Sequence, residues 1–397
     1  MFSLLLGMLL VYSGTTGNGP DFSKLAGPYE GIVYPIPNRF YLPGIKTLFK
    51  KAKKEIRVFI FTARYYREYK DDVGKRLLSY LKDALERGVK VELILDASDW
   101  NKRNSLHNKM FAEELKKYGA EVWYDPPDIT SHDKVIIVDS EYVVLGSTNW
   151  SFYALMANNE ASVIIKSPGL ARYYLYYFDE VKRVSMRDLP SYYGWEKFYA
   201  RQMKKIPNSK QGSSLPRSLT APAPDIDGYK ALVYAVPNRN YTIALHELLT
   251  HARDSVLIAM LSARTYERDT FIFNEIILND LKHLGQSGVY TEIILDGSNF
   301  NRVNTVQNKE EFIDLLRPYG VNAHFDAYDI TTHAKLILVD EKYLLFGSSN
   351  WTLPALEWNN EGNVLIISEG ASRYFRKYFD VIKKDSPKKL PSWYRTN

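Results

Sequence analysis

Positions 29–193 of the chain recur at 229–394 as a second copy that keeps many of the same residues at nearly the same spacing. Val33, Tyr34, Pro37, Asn38 and Arg39 return as Val233, Tyr234, Pro237, Asn238 and Arg239, and Ala63, Arg64 and Tyr66 return as Ala263, Arg264 and Tyr266. Leu95, Asp96, Ser98, Asn101, Asn104, Asn108 and Lys109 return 200 positions later as Leu295, Asp296, Ser298, Asn301, Asn304, Asn308 and Lys309. From Tyr118 onward the offset is 201, so one residue has been inserted between these segments. A period this long indicates two domains, since solenoid units run roughly 20–50 residues, and each copy is large enough to bury its own core. The division expected is an apolar, signal-like lead-in at 1–28, repeat one at 29–193, a linker at 194–228 and repeat two at 229–394.

The densest part of the duplication is chemical. His132-Asp133-Lys134, Asp139 and Gly146-Ser147-Thr148-Asn149 recur as His333-Ala334-Lys335, Asp340 and Gly347-Ser348-Ser349-Asn350. An imidazole, an ammonium, a hydroxyl and an amide can together attack, bind and orient a phosphate. Each copy reads as strand, hairpin and strand, which puts His132 with Lys134, and His333 with Lys335, on one face. Asp139 and Asp340 have the opposite parity and break apolar runs, so they are expected to fix the hairpins. Ser147 and Asn149 share a side in the following turn. Gly146 and Gly347 would permit its tight backbone and leave room for a phosphate.

These segments resemble the two signature motifs of the phospholipase D superfamily, whose members mostly cleave or exchange phosphodiesters without a metal. The resemblance covers both halves of the chain. It implies that one motif histidine attacks phosphorus to form a phosphohistidine while the other protonates the leaving oxygen, with His132 the nucleophile and His333 the acid. It also implies that Lys134, Lys335, Asn149 and Asn350 bind the phosphate oxygens, supported by Ser147 and Ser348. A carboxylate that holds each histidine in one tautomer is supplied, at the same 28-residue offset from its histidine, by Glu160 and Glu361 in Asn158-Asn159-Glu160 and Asn359-Asn360-Glu361. A histidine oriented by a carboxylate follows the logic of a catalytic triad.

Physical chemistry points the same way. A phosphodiester repels nucleophiles, and two ammonium groups with two amides can neutralise the charge that builds in its transition state. Two imidazoles can divide the labour of attack and proton donation. The other histidines, His107, His246, His251, His283 and His324, fall in no comparable constellation. With no cysteine and no His-Glu-x-x-His spacing, neither a zinc site nor a cofactor is expected.

Segments 56–61, 89–95, 121–124, 135–138, 142–145 and 161–165 read as strands, and 44–54, 73–87, 108–118 and 170–181 as helices. The alternation implies an α/β sandwich with a mixed sheet. The fold expected is two phospholipase D-like α/β sandwich domains related by a pseudo-two-fold axis, bringing His132 against His333 at their interface in a monomer that is its own pseudo-dimer. Segment 205–227, with Pro207, Pro216, Pro222 and Pro224, reads as linker. Just before it, 192–205 carries Trp195, Phe198 and Tyr199, and reads first as an amphipathic helix packed on a domain and second as a surface for stacking bases.

The apolar run 2–12, followed by small residues, resembles a signal-peptide core without a preceding Lys or Arg. As a helix it would span roughly 16 Å against about 30 Å of hydrocarbon, so export or a shallow anchor is expected over a full crossing, with a cytoplasmic location the alternative. Absent cysteine leaves the compartment open. The net charge of +6 favours an anionic polymer or membrane surface as partner.

Substrate class turns on the residues after each Gly-Ser-x-Asn turn, Trp150-Ser151-Phe152 and Trp351-Thr352-Leu353. These resemble the nuclease branch of the superfamily and lack the Asp-x-Arg-Ser that tends to follow the turn in cardiolipin and phosphatidylserine synthases. The expectation is a metal-independent phosphodiesterase acting on DNA or RNA. The alternative is a phospholipase D or phosphatidyltransferase acting on phospholipid, which the two motifs in one chain favour.

Overall fold

The computed structural model describes residues 19–69, 72–205, 217–265, 276–387 and 389–394. The apolar run 2–12 and the linker stretch 206–216 lie outside the described residues. Repeat one forms strands β1 (Ala26–Pro35), β2 (Glu55–Ile60), β3 (Lys90–Leu95), β4 (Glu121–Tyr124), β5 (Lys134–Val138), β6 (Tyr142–Gly146) and β7 (Ser162–Lys166). Repeat two forms β8 (Tyr229–Ala235), β9 (Ser255–Met260), β10 (Tyr290–Leu295), β11 (Asn322–Phe325), β12 (Lys335–Val339), β13 (Tyr343–Gly347) and β14 (Asn363–Ile367).

Among the described residues these strands make one sheet of 14, ordered β11-β10-β9-β12-β13-β14-β8-β1-β7-β6-β5-β2-β3-β4. Each half has the same order read outward from its own first strand. The sheet is mixed, as the motif hairpins require: β2, β3 and β4 run parallel, while β2, β5, β6, β7 and β1 pair antiparallel.

The halves are joined by β1 and β8, antiparallel with Val33 opposite Tyr229 and Tyr29 opposite Val233. The sequence pattern predicts no strand there; the two expected sandwich domains meet through this pair. The joining strand closes what would otherwise be an open edge on each half.

Alternation along the strands sends side chains to two layers. Ile136 and Val138 of β5 pack under the repeat-one helices Tyr41–Lys51, Val73–Glu86 and Lys102–Lys116, whereas Val135 and Ile137 face the opposite layer. That opposite layer is shared. The long helices Pro168–Val184 and Glu369–Lys384 pack there over apolar residues of both repeats, including Val33, Leu145, Val233 and Phe346. A common core beneath the central strands makes the repeats one body.

Helix Lys102–Lys116 starts six residues before the expected 108, because the Asn101 side chain caps it by accepting from the Asn104 N–H at 3.2 Å. Segment 192–205 contains the helix Trp195–Met203, with Trp195 and Phe198 packed on the repeat-one core, as the packing alternative expected. No helix among the described residues is long and apolar enough to cross a membrane.

Candidate active site

The two motif histidines lie where the repeats meet, each just ahead of a central strand. Backbone bonds stitch the repeats there: His132 N–H donates to the Asn360 carbonyl at 2.8 Å, and His333 N–H to the Asn159 carbonyl at 2.9 Å. Asn360 N–H returns to Thr130 and Asn159 N–H to Thr331, each at 2.9 Å. The same asparagines add side-chain bonds, Asn360 to Ser131 at 3.0 Å and Asn159 to Thr332 at 2.9 Å.

Both expected carboxylates meet a histidine, but not the histidine of their own repeat. His132 Nδ1 lies 3.0 Å from Glu361 Oε2, and His333 Nδ1 lies 2.9 Å from Glu160 Oε2. The equal offsets within each repeat had paired His132 with Glu160. The parallel bridges Ser131 to Asn360 and Thr332 to Asn159 exchange the partners instead. With Nδ1–H donated to a carboxylate, Nε2 is left with the lone pair.

Each glutamate is itself held by its own repeat. Ser147 Oγ donates to Glu160 at 2.5 Å and accepts from the Ala161 N–H at 3.0 Å, and Ser348 Oγ likewise donates to Glu361. Asn158 and Asn359 donate to the remaining oxygens at 3.1 and 3.0 Å. The Pro-Asn-Arg motifs act on the same segments. Asn38 Oδ1 accepts from the Glu160 N–H at 2.7 Å, Arg39 donates to the Asn158 carbonyl at 2.5 Å, and Arg239 donates to the Asn359 carbonyl at 2.6 Å. Sequence reasoning saw these motifs repeat but gave them no role; the signal available was their recurrence.

Lys134 Nζ donates to the His132 carbonyl at 2.5 Å and Lys335 Nζ to the His333 carbonyl at 2.6 Å, so each ammonium keeps protons for another acceptor. Asn149 and Asn350 end the same hairpins, and their carboxamide oxygens are buried without a hydrogen-bond partner among the described residues. An unmet carboxamide oxygen calls for a donor, so it is the NH2 of each amide, not this oxygen, that could donate to a phosphate oxygen.

Burial lowers His132 to about 4, with Glu361 opposing and Lys134 adding to the shift; burial lowers His333 as well. Burial also brings Lys134 down to about 8 and Lys335 to about 7. Burial alone would raise Glu160 and Glu361, but the facing histidines, lysines and serine hydroxyls outweigh it and hold both below their ordinary value. The site therefore sets two neutral imidazoles on two carboxylates, beside two buried lysines whose charged form burial disfavours and the glutamates support.

The remaining motif residues are scaffold. Asp139, at a φ of 54°, accepts from the N–H groups of Lys53, Lys54 and Glu55 at 2.8, 2.7 and 3.0 Å. Asp340 does the same for Arg253, Asp254 and Ser255. Gly146 and Gly347 are needed for a different reason from the one expected. A Cβ on Gly146 (φ 151°) would lie 2.3 Å from the Ala161 carbonyl oxygen, and one on Gly347 (φ 159°) 2.3 Å from that of Gly362. The space beside each glycine is filled by the next strand, not left for a phosphate. Asp96 and Asp296, also unassigned from sequence, accept from Ser131 N–H at 3.3 Å and Thr332 N–H at 3.1 Å, which steadies the residue before each histidine.

Trp150 and Trp351 are fully buried, donating to Tyr41 and Tyr241 hydroxyls at 3.0 Å and packing on Phe111 and Phe312. They are core residues. Their side chains serve packing and do not face a substrate.

The chain matches the family described as "Cardiolipin synthase, PLD-like domain" twice, over residues 45–182 and 245–383. It is 23% identical over 348 residues to cardiolipin synthase B of Salmonella typhi, covering 83% of this chain and 74% of that one. To cardiolipin synthase B of Escherichia coli K12 it is 25% identical over 321 residues, covering 75% and 68%. The crystal structure of a phosphatidylserine synthase from Haemophilus influenzae Rd KW20 superposes with a TM-score of 0.65 at 12% identity, covering 90% of this chain and 89% of that one, a likeness of fold. With both copies of the motif inside the matched segments and the two histidines set in one cleft, the chain belongs to the phospholipase D superfamily and is an enzyme of phosphodiester chemistry.

Proposed function

We propose that the chain transfers phosphatidyl groups between alcohols on phospholipids, with hydrolysis when water is the acceptor. The observation that carries this reading is the similarity, over 75–83% of the chain, to proteins named cardiolipin synthase B, with both motif histidines inside the segments that match the family model. Cardiolipin is two phosphatidyl groups joined through one glycerol, so making it is a transfer from one alcohol to another. The ground for a nuclease is the segments 150–152 and 351–353 with the missing Asp-x-Arg-Ser, and within them Trp150 and Trp351 are buried in the core. The relatives named as cardiolipin synthases support the phospholipid alternative over the nucleic acid first expected.

In the proposed cycle the neutral His132, its Nδ1–H on Glu361, attacks phosphorus through Nε2. As the P–N bond forms, the P–O bond to the leaving alcohol breaks and that oxygen takes a proton from His333. The substrate's own negative charge raises the His333 pKa beside it, which supplies that proton. The acceptor hydroxyl then gives its proton to His333, attacks phosphorus and releases His132. Lys134, Lys335, Asn149 and Asn350 hold the non-bridging oxygens and offset their growing charge.

The test is to incubate purified full-length chain, with chelator present, with vesicles of phosphatidylglycerol and phosphatidylcholine plus an alcohol, and in parallel with single-stranded DNA, duplex DNA and RNA. A new phosphatidyl ester, or phosphatidic acid, from the lipid supports the proposal. Cleavage of nucleic acid with intact lipid overturns it.

A further inference from the structure

We propose that two symmetry-related loops beside the motif histidines, Asp99–Asn101 and Asn299–Asn301 with the residues that follow them, form a docking surface that seats the enzyme on an anionic phospholipid bilayer. This rests on the lipid reading above and adds to it where the protein meets its substrate phase. The tip residues are large, apolar and open to solvent: Trp100 is 70% exposed, Phe300 68% and Val303 69%. Trp100 and Phe300 hold matching places on the two repeats, with Val303 standing where repeat one has Arg103, and such a paired set of exposed apolar side chains calls for a partner.

Their position ties them to the cleft. Trp100 stacks on Phe61 with ring centroids 6.3 Å apart, and Phe61 meets the His132 ring edge-on at 4.9 Å, so one ring separates Trp100 from the histidine. Trp100 Nε1 donates at 2.7 Å to Thr130, whose carbonyl accepts from Asn360 of the other repeat. On the second side Phe300 lies 6.5 Å from Tyr153, a repeat-one residue 58% exposed, so the apolar rim crosses the junction of the repeats.

The charge around the rim selects the occupant. Lys102, Arg103 and Arg302 are exposed beside these tips, and Asp99 is the acidic residue among the same positions. Aromatic tips flanked by cations fit the interfacial zone of a bilayer, where rings lie at headgroup level and basic groups meet anionic lipid. Such seating brings the cleft opening to the headgroups, so a phosphatidyl group reaches His132 without leaving the membrane completely.

The experiment uses the full-length chain, wild type and the triple variant W100S/F300S/V303S, with vesicles of equal parts phosphatidylglycerol and phosphatidylcholine. Sedimentation measures affinity. Quenching of tryptophan emission by brominated phospholipid, compared with W100F, reports whether position 100 enters the bilayer. Turnover is followed on vesicles and on short-chain phosphatidylglycerol kept monomeric.

The proposal expects about tenfold or greater loss of vesicle affinity and vesicle turnover in the triple variant, with monomer turnover within about twofold of wild type. It also expects bromolipid quenching that W100F abolishes. Unchanged vesicle affinity in the triple variant, or an unquenched Trp100, overturns it. So does an affinity for single-stranded DNA that falls while vesicle binding holds, which would make the rim a base-stacking surface. Failure of the wild type to turn over either lipid form would sink the lipid reading, while the quenching arm still decides the docking.

Discussion

His132 Nδ1 and Glu361 Oε2 lie 3.0 Å apart although 229 residues separate them, and His333 with Glu160 repeats the exchange. Each proposed half-reaction therefore depends on both repeats. Replacing Glu361 with Gln should impair the step made by His132, and Glu160 with Gln the step made by His333. Loss of an orienting carboxylate is expected to lower kcat by about 10²–10⁴-fold. The two variants should differ with leaving group: an activated aryl phosphodiester should restore much of the rate to Glu160→Gln, where proton donation fails, and little to Glu361→Gln. Equal losses on both substrates would contradict the division of labour.

The depressed lysines give a pH signature. Below about 7 Lys335 is already charged in the empty site, and above about 8 both Lys335 and Lys134 have given up protons that an incoming anion restores. Binding of sulfate, which does not itself titrate here, should take up protons between about 7 and 10 and weaken as pH rises, by up to about tenfold per unit per lysine. Calorimetry in two buffers of different ionisation enthalpy counts those protons. The linked stability has the opposite slope. The unfolded chain keeps these lysine protons to about 10.4, so the ligand-free fold should gain stability as pH rises from about 7. Sulfate binding without proton uptake at pH 8 would argue against free, desolvated ammonium groups.

Asp139 and Asp340 belong to the signature but bind backbone, not substrate. Replacing Asp139 with Ala removes the acceptor of three N–H groups and should cost about 2–3 kcal/mol of stability. Below the lowered melting temperature, turnover per folded molecule should remain near wild type. Denaturant unfolding and kcat measured on the same preparation separate the two effects.

Trp150 makes the comparable case for the core. Trp150→Phe loses the bond to Tyr41 and part of a packed volume, for about 2–3 kcal/mol, and should leave the substrate class unchanged. A switch in preference between lipid and nucleic acid in this variant would restore position 150 as a specificity determinant.

The duplicated motifs made much of this molecule legible. The hairpins β5–β6 and β12–β13 declare themselves by continuous apolar runs broken at Asp139 and Asp340, because central strands are covered on both faces. The chemical groups of the cleft follow from residue type and spacing. Three features did not. Strand β1 carries polar and small residues over its first half, and its pairing with β8 is a long-range fact that local pattern does not encode. The exchange of Glu160 and Glu361 is invisible to offsets, since symmetry makes the two pairings equal in sequence and only the crossing of Asn159 and Asn360 chooses between them. Burial of Trp150 is not legible either, because an aromatic residue after a polar turn has no strand or helix period of its own to mark a core face.

The assignment of nucleophile and acid is the remaining step, and the site is not fully symmetric. Beside His132 stands Asp133, fully buried and reached by Tyr177 Oη at 3.4 Å, where repeat two has Ala334. Burial, with Glu361 nearby, raises the Asp133 carboxyl well above its ordinary range, and burial lowers both His132 and His333. The proposed cycle takes His132 as the nucleophile and His333 as the acid, and trapping the intermediate decides between this and the reverse. In His333→Ala, an activated aryl phosphodiester needs little help in leaving, so phosphate should accumulate on His132 and survive acid quenching for mass-spectrometric mapping. His132→Ala should give no adduct under the same conditions. An adduct on His333 in His132→Ala would reverse the roles, and measurable turnover with no adduct in either variant would exclude the covalent route.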